Sequence, residues 1–393
     1  MEYQSKEILR EYGIEVPEGV LLDSPREVNL GTVYVKAQLP FTGRKSVGGV
    51  IRAEPGEVKR AVERMLNSEF KGYRPKKVLV EKAVPVLAEI MVGVTVNYSR
   101  LVKGPEIVAS PMGGTGVEER RVLRRRVNYL EGPPDLTEEL RSMGFPKPEE
   151  VNEILRKVYQ IFVDLDARSV EINPLALTPD GFMALDARID VDDHSLFRHP
   201  DIRVEVPKDL NRDPTELELT MWHWDESDPR GTGYFILLPV DGEPYVGFHG
   251  IGGGGAMLAA DALIRKGVRI ANYADTSGDP PASKVYRVIR TILSIPGISG
   301  YIMMGSVMAS QEQWHHAHAL VKAFREMLSD KEGFPALILL AGNKEKESHE
   351  IIRRGLRGLP IRYELYGRDY IYETDYIADR MRALVEEYRE GRA

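Results

Sequence analysis

The chain has 393 residues, 42% of them hydrophobic, enough for two or three domains with sizeable cores. A net charge of −7 argues against nucleic acid as the default partner, and the absence of cysteine excludes disulfides, a thiolate nucleophile and Cys-based metal sites. The charged start MEYQSKEILREYG lacks the apolar core of a secretory signal and the longest apolar runs are strand-sized, so a cytoplasmic protein that spans no membrane is expected.

Residues 4–12 read as a short helix ending at Gly13. Thr32 to Gln38 alternates around a lone lysine, Lys36, and reads as a strand. A Gly-rich basic loop follows, from Phe41 through Gly43, Arg44, Lys45, Gly48 and Gly49. Such loops bring backbone N–H groups and cations to phosphates. It is not a P-loop, because no Gly-Lys-Ser/Thr opens a helix. Residues 54–68 fit a helix, Lys77 to Glu81 and Glu89 to Asn97 fit strands, and another strand is expected to begin at Ile107. Residues 122–150 are uninformative, and 148–163 form an amphipathic helix.

Two short apolar runs then flank Thr178-Pro179-Asp180-Gly181, which is a β-hairpin signal. If the loop is Pro179-Asp180, Thr178 faces Gly181 and Asn173 falls opposite Asp186. Paired residues on one face lie roughly 5 Å apart at Cβ, so two oxygen donors there could share one hard cation. Glu171 lies on the same face as Asn173. A bulge at Gly181 would instead shift the register, and an ordinary hairpin with solvent-facing polar residues remains open.

Composition changes near Asn211-Arg212-Asp213-Pro214 and again at Glu226 to Gly231. Beyond, strands are expected at 234–239, 245–250, 270–273, 300–304, 336–340 and 361–363. Helices are expected near 256–266, 282–294, 311–328, 345–356 and 374–389. This alternation indicates a parallel α/β sheet with its ligand loops at the carboxyl ends of the strands. Three such ends are Gly-rich or polar: 250–255, 275–278 and 305–306. The run 250–255 satisfies G-x-G-x-x-G, and three readings stay open: a dinucleotide fingerprint, an anion-binding helix N-terminus, or a tight turn. His315, His316 and His318 sit on one helix and read as a polar flank or a subunit contact rather than a metal site. Glu81 and Glu89 read on their own as strand-end and surface acids.

These features together resemble the β subunit of succinyl-CoA synthetase, among the ADP-forming acid–thiol ligases. The resemblance covers nearly the whole chain. It runs from Glu2-Tyr3-Gln4-Ser5-Lys6 through Val35-Lys36-Ala37-Gln38, Gly43-Arg44, Gly48-Gly49-Val50 and Leu79-Val80-Glu81. Its most specific part is Val170-Glu171-Ile172-Asn173-Pro174-Leu175 with Leu185-Asp186, and Ser195 to Asp201 closes the first domain. The resemblance implies an α/β protein: an ATP-grasp nucleotide-binding domain over residues 1–214, then a flavodoxin-like parallel-sheet CoA-ligase domain over 230–393.

By the same resemblance Lys36, Gly43, Arg44, Gly48 and Gly49 contact nucleotide phosphates. Glu81 lies at the purine and ribose end, and Glu89 is counted with the nucleotide-binding acids. Asn173 and Asp186 match Mg²⁺ ligands, and Glu171 matches the acid that orients a phosphohistidine. ATP or GTP and CoA are the implied substrates, with an α-type CoA-binding partner that carries the histidine. A hetero-oligomer acting on a small di- or tricarboxylate is expected. The second domain, with Ala271 to Gly278 and Gly305 to Ser310, is closer to ATP-citrate lyase and citryl-CoA synthetase. There Gly253, Gly254, Ser277, Gly278, Gly305 and Ser306 would hold the acid. Two features depart from the pattern: no arginine stands near Leu340-Ala341-Gly342-Asn343, and the 41–49 loop has one glycine fewer than usual. The reading is a β-like subunit making an acyl-CoA such as succinyl-CoA or citryl-CoA. The alternatives are a non-catalytic regulatory or assembly subunit and a dinucleotide-binding oxidoreductase.

Overall fold

Helix α1 (Glu2–Glu11) buries Glu2, Ser5, Lys6 and Leu9. These positions share one face of a helix, yet three of the four are polar, so this face turns toward partners rather than an apolar core. The computed structural model describes residues 1–98, 103–114, 121–203, 212–239, 242, 245–305 and 308–391. The chain divides into two compact units, Met1–Asp213 and Pro214–Ala393.

The first unit continues with β1 (Gly19–Leu22), β2 (Val33–Ala37), β3 (Val50–Ala53), α2 (Val58–Asn67) and β4 (Val78–Lys82). These strands form an antiparallel sheet in the order β1-β4-β2-β3. Glu54 to Gly56 make a turn before α2 rather than its first residues, with Gly56 at a φ of +89°. A second antiparallel sheet follows: β5 (Ala88–Asn97), β6 (Gly104–Ser110), β7 (Leu123–Arg126), β8 (Ala167–Thr178), β9 (Gly181–Ala184) and β10 (Ala187–Val191). Its order is β10-β8-β5-β6-β7, with β9 paired to β8. Ile107 to Ser110 is the end of a strand, not its beginning. Helices α3 (Thr137–Ser142) and α4 (Pro148–Asp164) precede β8, and α4 buries Val151, Leu155, Val158 and Phe162 in the core that also holds Ile90, Val92, Val170 and Ile172. The segment 122–150 therefore contains a strand and a helix, both of which the Arg- and Pro-rich composition hides.

In the hairpin, Thr178 faces Gly181 and Leu175 faces Ala184. The same register carries on past β9: the Asn173 N–H donates to the Asp186 carbonyl at 3.1 Å, and Arg188 faces Glu171. No bulge intervenes between Thr178 and Glu171 on this side. The other edge of β8 does shift by one residue against β5, between Ile90 and Val92. Such an irregularity re-aims side chains locally, here next to Asn173 and Pro174.

The second unit contains α5 (Glu216–Glu226), β11 (Tyr234–Leu237), β12 (Gly247–Ile251), α6 (Gly253–Arg265), β13 (Asn272–Asp275), α7 (Ala282–Leu293) and β14 (Tyr301–Gly305). It continues with β15 (Met308–Glu312), α8 (Trp314–Met327), β16 (Pro335–Leu339), β17 (Gly342–Asn343), α9 (Glu345–Gly355), β18 (Arg362–Tyr366) and α10 (Thr374–Glu390). The main sheet runs β11-β13-β12-β14-β16-β18, parallel except for β11. Without β11 this is the doubly wound 2-1-3-4-5 order of flavodoxin-like folds. Its central strands read as continuous apolar runs because both faces are covered: Tyr301 to Met304 are at most 1% exposed. Asn272 stands in for a missing ladder bond, its amide exchanging hydrogen bonds with the Phe248 N–H at 3.0 Å and carbonyl at 2.8 Å. Buried Lys284 on α7 donates to Asp225 and to the carbonyls of Asp228 and Gly231, which draws the 225–231 segment into this unit.

Helix α8 buries a histidine among its apolar residues. Its buried face includes His316, Leu320 and Ala323 beside Ala317 and Phe324. His316 is completely buried rather than part of a polar flank, because it meets hydrogen-bonding side chains, Thr276 just past the end of β13 and Gln311 of β15.

Candidate functional site

In the first unit, six charged side chains from five segments converge. Lys36 comes from β2, Glu81 from β4, Glu2 and Lys6 from α1, Arg44 from the glycine loop and Asp186 from the hairpin. Lys6 Nζ lies 2.6 and 2.7 Å from the two Glu81 oxygens and 2.9 Å from Glu2 Oε1. Lys36 Nζ lies 3.0 Å from Glu2 and 2.7 Å from Glu81, and both lysines donate to the Leu185 carbonyl. Arg44 bridges Glu2, at 2.5 Å, and both oxygens of Asp186, at 2.7 Å. Three cations thus meet three carboxylates, and only Asp186, with a side chain 39% exposed, opens to solvent.

Burial opposes the charge on Glu2, yet Lys36, Lys6 and Arg44 hold its carboxyl well below the usual carboxylate range. Burial alone would lower Lys36, but Glu2, Glu81 and Asp186 push its ammonium above the usual lysine value. Asp186 is pushed up, first by burial and then by Glu2, against the pull of Arg44. A charge buried without its partner is strongly destabilising, so the five buried groups, Glu2, Lys6, Lys36, Arg44 and Glu81, depend on one another, whereas the half-exposed Asp186 is less bound to them.

The loop geometry follows from its glycines. Gly43 and Gly48 have φ of +75° and +81° and bracket a short 3-10 turn, Arg44–Val47. A Cβ at Gly49 would stand 3.1 Å from the Arg44 carbonyl, and the Gly49 N–H donates to that carbonyl at 2.8 Å. The turn therefore aims Arg44 inward while leaving Lys45 and Ser46 exposed.

On the hairpin edge, Asn173 Oδ1 accepts from the Gly114 N–H at 2.7 Å, and Asn173 Nδ2 donates to Glu171 at 3.2 Å. This fixes the amide with its oxygen toward Gly114. Gly113 is tied by its N–H to the Glu89 carbonyl, and a Cβ on it would meet the Ile90 carbonyl at 2.8 Å. Glu171 and Glu89 are both exposed, on β8 and at the start of β5. Asn173 and Asp186 supply the hard oxygen donors that suit Mg²⁺, which takes one or two protein ligands plus phosphate oxygens and water. Among the described residues, no group of three or more His, Asp or Glu could hold a metal ion.

In the second unit, the carboxyl ends of β12, β13 and β14 lie side by side: Gly250 pairs with Asp275 and Ile251 with Gly305. Helix α6 starts directly after Gly252, whose φ is +84°. Nothing lies within 4 Å of a Cβ placed on Gly253 or Gly254, so the fold itself does not require glycine there. Gly305 is different, since a Cβ would stand 2.0 Å from the Ile251 carbonyl. Ser277 donates to Asp275 at 2.7 Å, and Gly278 has a φ of +68°. Ser306 lies outside the described residues. Burial raises the Asp275 carboxyl, whose Oδ1 is buried without a hydrogen-bond partner.

Below these loops runs a buried chain of hydrogen bonds. Asp279 N–H donates to Gln311 Oε1, and Gln311 Nε2 lies 3.1 Å from His316 Nδ1. His316 Nε2 and His249 Nε2 each lie 2.8 Å from Thr276 Oγ1, and His249 Nδ1 lies 2.6 Å from Tyr301 OH. Burial lowers the pKa of both histidines, His316 to about 3. A further feature invisible in the sequence is Arg368, which donates to the Gly342 carbonyl at 3.1 Å and lines a cleft of about 490 Å³ with Gly342 to Glu347. Arg368, 26 residues further on, thus reaches Gly342 and pairs with Glu345 at 3.0 Å.

Residues 1–177 match the ATP-grasp domain, and residues 236–377 match the citrate-binding domain of ATP citrate lyase. Nucleotide-binding and acid-binding folds joined in this order define an ATP-grasp acid–thiol ligase. The chain is 32% identical over 373 residues to the β subunit of ADP-forming succinate–CoA ligase from Desulfurococcus amylolyticus, covering 89% of this chain and 92% of that one. It is 30% identical over 392 residues to the β subunit of GDP-forming succinate–CoA ligase from Thermus thermophilus, covering 95% of each. The protein belongs to the succinate–CoA ligase β-subunit family. Its fold also matches the ATP citrate lyase of Methanothrix soehngenii, solved with citrate and coenzyme A, at a TM-score of 0.75 and 22% identity over 94% of this chain and 95% of that one.

Among the described residues, no helix is long and apolar enough to cross a membrane.

Proposed function

We propose that this chain is the nucleotide-handling, β-type subunit of an ADP-forming carboxylate–CoA ligase, making an acyl-CoA such as succinyl-CoA or citryl-CoA. The observation that carries this reading is the facing of Asn173 and Asp186 across one hairpin, with Arg44 bonded to Asp186 and Lys36 to the adjacent Leu185 carbonyl. Lys36, Arg44 and the backbone of Gly43, Gly48 and Gly49 hold the phosphates of ATP or GTP. Glu81, which bonds Lys6 through both oxygens and Lys36 through Oε2, lies at the purine and ribose end of the nucleotide. Exposed Glu89 serves the same pocket. Asn173 and Asp186 would hold Mg²⁺, which when bound offsets phosphate charge. Positioning and neutralisation dominate phosphoryl transfer.

The γ-phosphoryl group passes to a histidine of an α-type, CoA-binding partner, with release of the nucleoside diphosphate. Glu171 orients that histidine by accepting a hydrogen bond from its ring N–H. The phosphoryl group then passes to the acid, and the CoA thiol displaces phosphate from the acyl phosphate. The small di- or tricarboxylate sits at Gly253, Gly254, Ser277, Gly278, Gly305 and Ser306. Support for this lies in the open space at the first two glycines and in the helix N-terminus they form, which favours an anion.

The test is free-thiol consumption by this chain with its co-purified partner, offered CoA, ATP or GTP, and succinate, malate or citrate. Nucleotide-dependent loss of thiol with one of the acids is expected. No consumption with any acid and either nucleotide would favour a non-catalytic assembly subunit.

A further inference from the structure

Glu2 is the one carboxylate among the described residues that touches both Lys36 and Arg44. One of its oxygens serves each cation, Oε1 at 3.0 Å from Lys36 and Oε2 at 2.5 Å from Arg44. Its side chain is 1% exposed, and Lys6, one helical turn on, braces it from behind at 2.9 Å. The two cations reach it from different elements, β2 and the 3-10 turn after it. The backbone beside Lys36 holds the guanidinium by one long contact, Arg44 Nη1 to the Ala37 carbonyl at 3.4 Å, whereas the bidentate Glu2 carboxylate bonds both cations, at 3.0 and 2.5 Å. Ordinary core packing would not select this arrangement, since apolar residues of similar volume often replace a buried ion cluster at no loss of stability.

We propose that Glu2 is a positioning residue for the nucleotide site, whose carboxylate sets the spacing of Lys36 and Arg44 for the phosphates; this rests on the nucleotide reading given above. Glu2 does not touch the nucleotide. It holds one edge of each cation and leaves the rest of the Arg44 fork, now on Asp186, to turn toward the incoming phosphates. A charge alone is not enough for this role. The side chain must also reach two cations at once, which the shorter Asp cannot do from the same backbone position.

The experiment measures the equilibrium dissociation constant for the Mg²⁺ complex of ATP, on the full chain with its co-purified partner. The proteins are wild type, Glu2→Gln, Glu2→Asp, Arg44→Gln, Lys36→Met and the double variant Glu2→Gln/Arg44→Gln. Thermal unfolding of each is recorded alongside. Glu2→Gln and Glu2→Asp are expected to weaken binding tenfold or more. In the Arg44→Gln background, Glu2→Gln should add less than twofold, because the spacing it sets no longer matters. A purely structural role would instead give additive losses. Should Glu2→Gln fail to fold, Glu2→Asp, which keeps the charge and loses the reach, decides. Wild-type affinity in a folded Glu2→Asp, or additive losses in the double variant, would overturn the proposal while leaving the nucleotide reading intact. That separate reading would fail, and this proposal with it, if wild type bound no nucleotide or Lys36→Met bound it normally.

Discussion

Arg44 holds Asp186 through a single nitrogen, Nη2, which lies 2.7 Å from both carboxylate oxygens. The same guanidinium reaches Glu2 through Nη1. The proposed metal ligand is therefore engaged by the proposed phosphate ligand. In the proposed reading, Asp186 would exchange Arg44 for the metal of a metal–nucleotide complex and Arg44 would turn to the phosphates, so that each would keep a counter-charge.

Replacing Asp186 by Ala removes a charged oxygen donor from the hairpin edge. Nucleotide-dependent phosphorylation of the complex should be lost while far-UV circular dichroism stays that of the wild type. Unchanged Mg²⁺-dependent turnover in this variant would refute the hairpin's metal role.

Arg44→Gln acts oppositely on metal and nucleotide. Freed of its guanidinium, Asp186 should bind Mn²⁺ several-fold more tightly in the absence of nucleotide, read by electron paramagnetic resonance. Nucleotide affinity should fall at the same time. A metal affinity equal to or below the wild type would mean that Arg44 does not compete for Asp186.

The buried histidines predict a pH effect on stability. Burial lowers both pKa values, His316 to about 3, whereas an unfolded histidine titrates near 6.5. The unfolded state therefore binds more protons below about pH 6.5, and the stability present above that pH is lost as pH falls. The slope is up to about 1.4 kcal/mol per pH unit for each histidine. Glu2, lowered in the folded state, adds its loss only below the unfolded carboxylate value of about 4.3. Urea unfolding at about pH 5 and about pH 7 measures this. His316→Gln should remove about half of the slope, and an unchanged slope would contradict the assignment.

The strand ends of the second unit should hold the acid. Crystals soaked with succinate, malate and citrate are expected to show one of them against Gly253, Gly254 and Ser277. Density for the acid only in the first unit would contradict this placement.

Much of this molecule is legible in its sequence, for identifiable reasons. The pairing of Asn173 with Asp186 follows from a period of two and a two-residue turn, both local. The strand and helix alternation after Tyr234 is equally local, and the observed sheet follows it. What stayed hidden depends on distant partners. Glu2 and Lys6 look like surface charges until Glu81 and Lys36 arrive from β4 and β2. The one available signal was the polar stripe Glu2, Ser5, Lys6 on a helix with almost no apolar face. His316 reads as a flank residue because its burial is set by Thr276, with His249 beyond it, both on other elements. Arg368 meets Gly342 only through the return of β18. The orienting bond from Gly114 to Asn173 spans 59 residues and leaves no local trace.

The division of labour between two subunits is the central claim, and γ-labelled ATP tests it most directly. This chain is incubated with label alone and with its co-purified partner, and acid-labile phosphoryl groups are followed. Label should appear only in the mixture, on a histidine of the partner, and should fall sharply with Glu171→Ala. Stoichiometric label on this chain alone would contradict the account.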